Sequence, residues 1–449
     1  MILQKISHFV AYYFWFIASI PFFIIASKSM RKRTVEQKQA KRKYEDVVAK
    51  NLHEPLTLHP EIDNKKCAGC GACVKACPEG DILKLINHKA VLIEPSKCVG
   101  HGECQASCPM DAIDLVFGTK TRGMDLPKVN TNYETNVPGL YIAGELGGMG
   151  LIRNAVKQGK LAVEHAVKNL SSAKTDFDVV IVGAGPAGLS ASLQCAASGK
   201  RYICLEQNKF GGTIYNFPRQ KIVMSHPVDF PVFGKIQFPQ HKVSKEDILG
   251  IWHKIRKQAK LRIQEETKFE TLTKDGGKFI VKTSKGTLTA QKVILAMGVR
   301  GTPRKLGLPN EETTKVTYNL LDPEQYQKKW IAVVGGGNAA VEAAQYLCKP
   351  QYNNRVFLLV RSDTFDRCNE ENQNLILSYQ KQGRVKILFN TSVAEIHQKH
   401  LVIDTKGKKS NIQNDFLFIF AGALLPFDFL KSLGIMIDKK FGEALKASV

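Results

Sequence analysis

Two runs in the first quarter of the chain constrain it most. They read Cys67-x2-Cys70-x2-Cys73-x3-Cys77-Pro78 and Cys98-x2-His101-x2-Cys104-x3-Cys108-Pro109. Thiols recurring at this interval let one tight loop wrap a polynuclear iron–sulfur group, and the proline ends each run. A histidine, His101, takes one of the eight ligand places. Groups of this kind pass single electrons, so the rest of the chain is read for where those electrons come from.

With 449 residues the chain is too long for one core, and about three domains are expected. An apolar content of 44% and a charged content of 23% fit globular domains and exclude a disordered chain. Of the 11 cysteines, Cys195, Cys204, Cys348 and Cys368 lie outside the runs and form no CxxC pair. That usage excludes a disulfide-stapled secreted framework and indicates a reducing, cytosolic setting. The net charge of +23 accompanies no nucleic-acid-binding motif, so nucleic acid is not an expected partner.

Between Lys5 and Lys28 there is no Asp, Glu, Lys or Arg. As a helix, residues 6–27 would span about 33 Å, enough for the hydrocarbon core of a bilayer. Tyr12, Tyr13 and Trp15 sit within the run, and Pro21 would kink it. Lys28, Arg31, Lys32 and Arg33 follow at once, which predicts a single-pass anchor in the inner (plasma) membrane with everything downstream on the cytoplasmic side. A cleaved signal peptide has a shorter apolar core, and a buried core helix rarely lacks charge so completely. Residues 28–60 read as a basic stalk whose lysines and arginines face anionic headgroups.

The two cysteine runs resemble those of bacterial dicluster ferredoxins, over residues 61–118. In that family the first three ligands of a run hold one cluster and the fourth crosses to the other. The resemblance assigns Cys67, Cys70, Cys73 and Cys108 to one [4Fe-4S] cluster. It assigns Cys77, Cys98 and Cys104 to the second, with His101 in the fourth place. Two states of that place stay open: iron ligation by the imidazole, which is expected and would raise the potential, or a [3Fe-4S] cluster with no fourth ligand. Tandem runs of this spacing exclude a zinc site. Ala90–Ile93 reads as a strand leading into the second run.

Further on, Phe177–Val182 is an apolar strand turning into a helix through Gly183-Ala-Gly185-Pro186-Ala187-Gly188. Glu206 ends the next strand, Tyr202–Leu205. Glycines here allow close approach of a pyrophosphate to a helix start, and an acid in that place suits a ribose hydroxyl. A second such unit begins at Trp330-Ile-Ala-Val-Val-Gly335-Gly-Gly337-Asn338-Ala339. Its next strand, 355–360, ends in Arg361 rather than an acid. Arg361, assisted by Arg367, matches a 2′-phosphate and favours NADPH, while the nearby Asp363 keeps NADH open.

Two such folds in this order resemble the thioredoxin-reductase-like flavoproteins, over residues 125–449. The similarity is nearest to the bacillithiol-disulfide-reductase relatives, which share the run Gly211-Gly212-Thr213-x4-Pro218-Arg219. It implies FAD in the first fold, with Phe210–Thr213 against the flavin and Ile294–Gly298 closing the first FAD segment. Asp415–Gly422 and Pro426 would return the chain to the FAD domain. One motif is displaced. The strand, Gly-acid pair and helix that end such chains stand upstream here, at Thr135–Tyr141, Gly144-Glu145 and a helix from Leu151 to about 170. The reading is a circularly permuted FAD domain, with Glu145 toward a ribityl hydroxyl and the helix start toward the flavin pyrimidine. Permutation would tether the clusters near the flavin.

The expected fold is therefore an α/β two-Rossmann flavoprotein with a small α+β dicluster ferredoxin domain and one amino-terminal transmembrane helix. The expected segments are 6–27 (span), 28–60 (stalk), 61–118 (ferredoxin), 126–170 (permuted motif), 176–318 (FAD), 319–414 (NAD(P)) and 415–449 (return). Thioredoxin reductases carry a CxxC before the second glycine loop; residues 316–330 have no cysteine. The bacillithiol relatives place a cysteine where this chain has Ala187. Both thiol routes are absent, and Cys368 is the remaining candidate for a loop thiol. The expected activity passes electrons from NADPH through FAD to the clusters and on to an acceptor. That acceptor is a quinone, a membrane protein or a small redox carrier, and flow toward NADP is open. A non-catalytic redox sensor and a low-molecular-weight disulfide reductase are the alternatives. No side-chain acid or base is assigned, membrane lipid is an expected partner, and a homodimer is left open.

Overall fold

The computed structural model describes residues 2–49, 53–55, 57–80, 82–224, 227–238, 242–299, 302–365, 367–424 and 426–444, with backbone alone for most of 2–29 and for 224, 242, 302, 423 and 424. The chain forms two compact units, 1–116 and 117–449.

In the first unit the backbone of Ile2–Ala49 is one continuous helix with Pro21 inside it. Gln37, Ala40, Lys43, Tyr44 and Val47 are wholly or partly shielded, at the spacing of one helix face, while Lys38, Lys41 and Arg42 are exposed. That face packs toward the Leu83–Ile86 strand. Lys43 reaches across to Glu94 at 2.6 Å, and Glu94 also pairs with Lys97 at 2.6 Å. Two expectations change here. Residues 28–49 are no free-standing stalk, because their last turns belong to the iron–sulfur unit. The span expected at 6–27 is unsupported: among the described residues no helix is long and apolar enough to cross a membrane, and most side chains of 6–27 lie outside those described.

The rest of the unit is small and built from two antiparallel pairs. His59–Ile62 pairs with Ile113–Phe117, and Leu83–Ile86 pairs with Lys89–Leu92. Each cysteine run starts in a loop and enters a short helix, Ala72–Ala76 or Glu103–Ala106. Leu83, Ala90, Ile93, Ile113 and Val116 form the buried apolar floor beneath those loops.

The second unit carries a mixed seven-stranded sheet with a parallel centre and a five-stranded parallel sheet. In the first, the neighbours run 263–264, 202–205, 177–182, 286–295, and Leu140–Ile142 lies on the far side of 286–295. The long Gly286–Leu295 strand makes this possible. Its first half pairs antiparallel with Lys278–Thr283, and its second half sits between two parallel strands. These strands are near-continuous Val, Ile and Leu because helices cover the sheet, and Val179, Val180, Ile181, Val293, Ile294 and Leu140 are fully buried. The second sheet is wholly parallel, in the order 316–317, 416–419, 330–334, 355–359, 385–388. Ile437–Lys440 returns to pair antiparallel with Met124–Pro127.

Candidate redox centres

The cysteine loops bring the thiols together in crossed sets. Cys73 feels Cys67, Cys70 and Cys108, while Cys98 and Cys104 both feel Cys77. Cys108 thus lies among the thiols of the first run and Cys77 among those of the second, while Cys104 also feels Cys73. Burial first, then these neighbours, pushes the Cys73 thiol up, Cys98 to about 12 and Cys104 to about 11. Such thiols hold their protons until a positive ion displaces them, so loading iron releases protons. The loops need glycine. Gly69 has φ +68°, and a Cβ there would lie 2.0 Å from the His88 carbonyl oxygen. Among the described residues no group of three or more His, Cys, Asp or Glu side chains converges as for a single ion. The neighbouring thiols and the tight glycine loops fit iron–sulfur binding by the two runs.

His101 stands beside Glu79, which follows Cys77 in the chain. Its Nε2 is 3.7 Å from Glu79 Oε1, and both side chains are largely shielded. Glu79 also acts on Cys77 and Cys98, and burial pushes its own carboxyl up.

In the first sheet, Gly183–Gly188 crosses from strand to helix, with Pro186 in the first turn of Pro186–Ala197. A Cβ on Gly188 would lie 1.8 Å from the Gly183 carbonyl oxygen, so the helix starts hard against the strand end. Gly185 has nothing within 4 Å of its Cβ position, the open cradle a pyrophosphate requires. Glu206 is buried, and its two oxygens accept from Ala184 N at 2.8 Å and Asn208 N at 2.9 Å. A carboxylate so held keeps lone pairs for ribose hydroxyls. The Phe210–Thr213 segment closes on the same loop: Gly211 N donates to Ala184 O at 3.1 Å, and Gly212 packs on Gly185.

The 140–166 segment joins this site. Ala143 N donates to Leu295 O at 3.0 Å, and Gly144 N donates to the buried Gln158 Oε1 at 2.7 Å. The Glu145 carboxylate lies beside Gly150 and faces Gly298, the end of the closing strand. The expected helix from Leu151 is Ile152–Ala166, followed by a 3-10 turn, and it crosses Pro186–Ala197 at close range. A Cβ on Gly159 would stand 2.1 Å from Ala187 O, and Ser190 Oγ donates to Val156 O at 2.7 Å. Ala187 is 3% exposed and also abuts Gly144. The cradle, Glu206, Gly298 and Glu145 thus gather around the ends of the same strands. Gln158 was invisible in the sequence because a glutamine inside a helix carries no positional signal.

In the second sheet, Gly335 has φ +135°, and a Cβ there would meet Phe420 O at 2.7 Å. The helix Asn338–Leu347 begins at Gly337, whose backbone bridges to Arg367. Asn338 Oδ1 accepts from Asn369 N at 2.9 Å and Asn372 Nδ2 at 3.2 Å, fixing the turn. Val360 packs on Gly336, so the exposed Arg361 and Arg367 flank this loop, with Ala339 and Asp363 exposed beside it. The loop is thus flanked by two exposed guanidinium groups. The Asn369–Asn372 partners were not anticipated, since the intervening sequence shows no motif.

The cysteines outside the two runs are enclosed. Cys195, Cys204, Cys348 and Cys368 are all buried, and burial pushes Cys195 far up, Cys204 to about 12 and Cys348 to about 11. Cys368 is 0% exposed in the Phe365 core, so it is no loop thiol. In place of the absent CxxC, the loop holds Leu321 O, which accepts from Arg219 N at 2.9 Å, and Glu324, which pairs with Arg219 at 3.4 Å.

Comparison with known proteins agrees with this geometry. A family model described as pyridine nucleotide-disulphide oxidoreductase matches residues 180–446, and one described as 4Fe-4S dicluster domain matches 59–109. Bacilliredoxin reductase Bdr of Bacillus subtilis (strain 168) is 27% identical over 272 residues, covering 59% of this chain and 82% of that protein. A ferredoxin–NADP reductase of Ignicoccus hospitalis is also 27% identical over 272 residues, covering 59% and 83%. The solved structure of bacillithiol disulfide reductase Bdr from Bacillus cereus superposes with a TM-score of 0.54 at 25% identity, covering 58% of this chain and 82% of that one.

Proposed function

Because the chain belongs to the pyridine nucleotide-disulphide oxidoreductase family, we propose that it is an NAD(P)H-dependent flavoenzyme whose electrons leave through its iron–sulfur unit, not through a thiol. One observation carries this: every cysteine outside the two runs is buried, while Cys73 neighbours Cys67, Cys70 and Cys108, and Cys98 neighbours Cys104 and Cys77. Bound FAD supplies the exchange between a two-electron hydride and single electrons, which the clusters carry.

The chain's own residues bind and orient. The Gly183–Gly188 loop and the start of its helix take the FAD pyrophosphate, and Glu206 takes the ribose. Phe210–Thr213 and Glu145 frame the flavin, with the amino end of Ile152–Ala166 lending a positive dipole to a negative ring edge. Gly335–Ala339 seats the nicotinamide nucleotide, and Arg361 with Arg367 selects NADPH over NADH. Among the related proteins, one is named for bacilliredoxin and others for ferredoxin, so the family accommodates both kinds of acceptor. The buried thiols favour the second kind here.

We further read the 126–170 segment as the carboxyl-terminal FAD motif in permuted order. Its support is the parallel strand Leu140–Ile142 beside Gly286–Leu295 and the close helix crossing at Gly159. The apolar run 6–27, followed by exposed Lys28, Arg31, Lys32 and Arg33, supports attachment to an anionic bilayer from the cytoplasmic side, with a quinone or a membrane protein as acceptor.

The test is turnover of purified protein carrying FAD and both clusters. Rapid NADPH oxidation with ferricyanide and none with bacillithiol disulfide is expected. NADPH-dependent loss of the disulfide at a comparable rate would overturn the proposal, and negligible turnover with every acceptor would leave a redox sensor as the better reading.

A further inference from the structure

Of the differences between the two runs, two meet beside the second set. Where the first set has Cys70, the second has His101. Where the residue after the proline is Met110 near the first set, it is Glu79 near the second. Crossing of the fourth ligands is what brings Glu79 there, since it follows Cys77-Pro78. Glu79 Oε1 then stands 3.7 Å from His101 Nε2, with side chains 23% and 13% exposed. Met110, by contrast, is exposed.

The pairing has a physical logic. An imidazole that binds a metal through one nitrogen needs its other nitrogen held, because ring orientation and tautomer are otherwise unfixed, and a carboxylate is a common holder. Binding iron while keeping the Glu79 contact uses Nδ1. Replacing a thiolate by a neutral imidazole also removes one negative charge from the cluster, and a carboxylate one residue's reach away restores that charge to the site without placing it on iron. A solvated ion pair would need neither the shielding nor the proximity to Cys98.

We propose that Glu79 is the positioning residue for His101, holding the ring by Nε2 so that the imidazole occupies the fourth ligand place of the second cluster. This rests on the reading of His101 as an iron ligand.

The test uses full-length protein with both clusters, reduced anaerobically with dithionite. Pulsed EPR reads the nitrogen hyperfine coupling, and iron content is measured alongside. Wild type is expected to show one strong imidazole nitrogen coupling, lost in His101→Ala. Glu79→Gln is expected to give a mixture, with at least half of the coupled signal gone, and Glu79→Asp to recover part of it. The signal of the first cluster, unchanged throughout, reports that the unit still folds. Loss of the second cluster alone in Glu79→Gln, with recovery in Glu79→Asp, supports the same conclusion. A Glu79→Gln spectrum identical to wild type, nitrogen coupling included, overturns the positioning role while sparing ligation. No nitrogen coupling in wild type, with an unchanged His101→Ala spectrum, overturns ligation and the Glu79 role together.

Discussion

Gly159→Ala is a substitution that ordinarily stabilises a helix. Alanine in place of glycine inside a helix gains about 1 kcal/mol from backbone entropy. Here the new methyl would lie 2.1 Å from Ala187 O and 3.0 Å from Ala187 C. An acceptable contact needs roughly 1 Å more, so Ile152–Ala166 and Pro186–Ala197 must separate by about that much. Overpacking of this kind costs about 1–3 kcal/mol. The separation also loosens Val156, Ala162 and Val163, which are buried in the same crossing. A gap of that size forfeits a quarter to a half of each dispersion contact it opens. The net expectation is destabilisation by roughly 1–2 kcal/mol, opposite in sign to helix propensity. Because Ala187 also abuts Gly144, the shift reaches the strand end beside Glu145 and weakens FAD retention. Urea unfolding of the flavin unit, with FAD release followed by fluorescence, reads both effects. A Gly159→Ala protein as stable as wild type or more so, with full FAD, would refute the packing argument and the place of 126–170 in the flavin fold.

Four other outcomes follow from the same geometry. Gly185→Ala, where nothing lies within 4 Å, should leave stability within about 0.5 kcal/mol in the absence of FAD yet weaken FAD binding at least tenfold, measured by titration. Arg361→Ser with Arg367→Ser should raise KM for NADPH about tenfold, roughly 1.4 kcal/mol, while leaving NADH nearly unchanged; equal losses for both would argue against a 2′-phosphate site. Maleimide should leave Cys195, Cys204, Cys348 and Cys368 unlabelled in native protein and label all four after denaturation, as mass spectrometry would show. Burial alone would raise the Glu311 carboxyl, but the N–H groups of Leu306, Gly307 and Leu308 and the Tyr318 hydroxyl hold it below its ordinary 4.5. Its contribution is therefore complete above that pH and fades as pH falls through the lowered value, so Glu311→Gln should cost about 1–3 kcal/mol near neutrality and flatten the acid limb of the stability profile.

Much of the site was legible in the sequence because its chemistry is local. Cysteine spacing marked the iron–sulfur loops, the resemblance to dicluster ferredoxins implied their crossing, and the glycine loops marked the two nucleotide folds. Expected and observed elements agree at Tyr202–Leu205 and within a residue or two at 355–359 and 330–334, where strand alternation gives way to continuous Val, Ile and Leu. The strand at 140–142 and the helix after 151 were legible because their apolar residues and glycines keep the order of a strand, turn and helix. What could not be read was long-range. Glu79 faces His101 only because the fourth ligands cross, and Gln158 caps Gly144 only through the helix crossing. Glu94 carried no signal in the sequence, yet it links the long helix to the start of the second run through Lys43 and Lys97. The 28–60 stalk was misjudged because charge counts do not reveal the stripe Gln37, Ala40, Tyr44, Val47 that packs its last turns. Cys368 looked available because its surroundings are polar in sequence, but Asn369 caps the next helix and turns the thiol into the core.

Anaerobic titration of the holoprotein with NADPH, followed by visible absorption and EPR together, tests the central claim most directly. The account predicts that the flavin bleaches and that a reduced-cluster signal grows with it, with the His101-containing cluster reduced first. Complete flavin bleaching with no cluster signal, in protein whose clusters accept electrons from dithionite at a potential NADPH can reach, would contradict it.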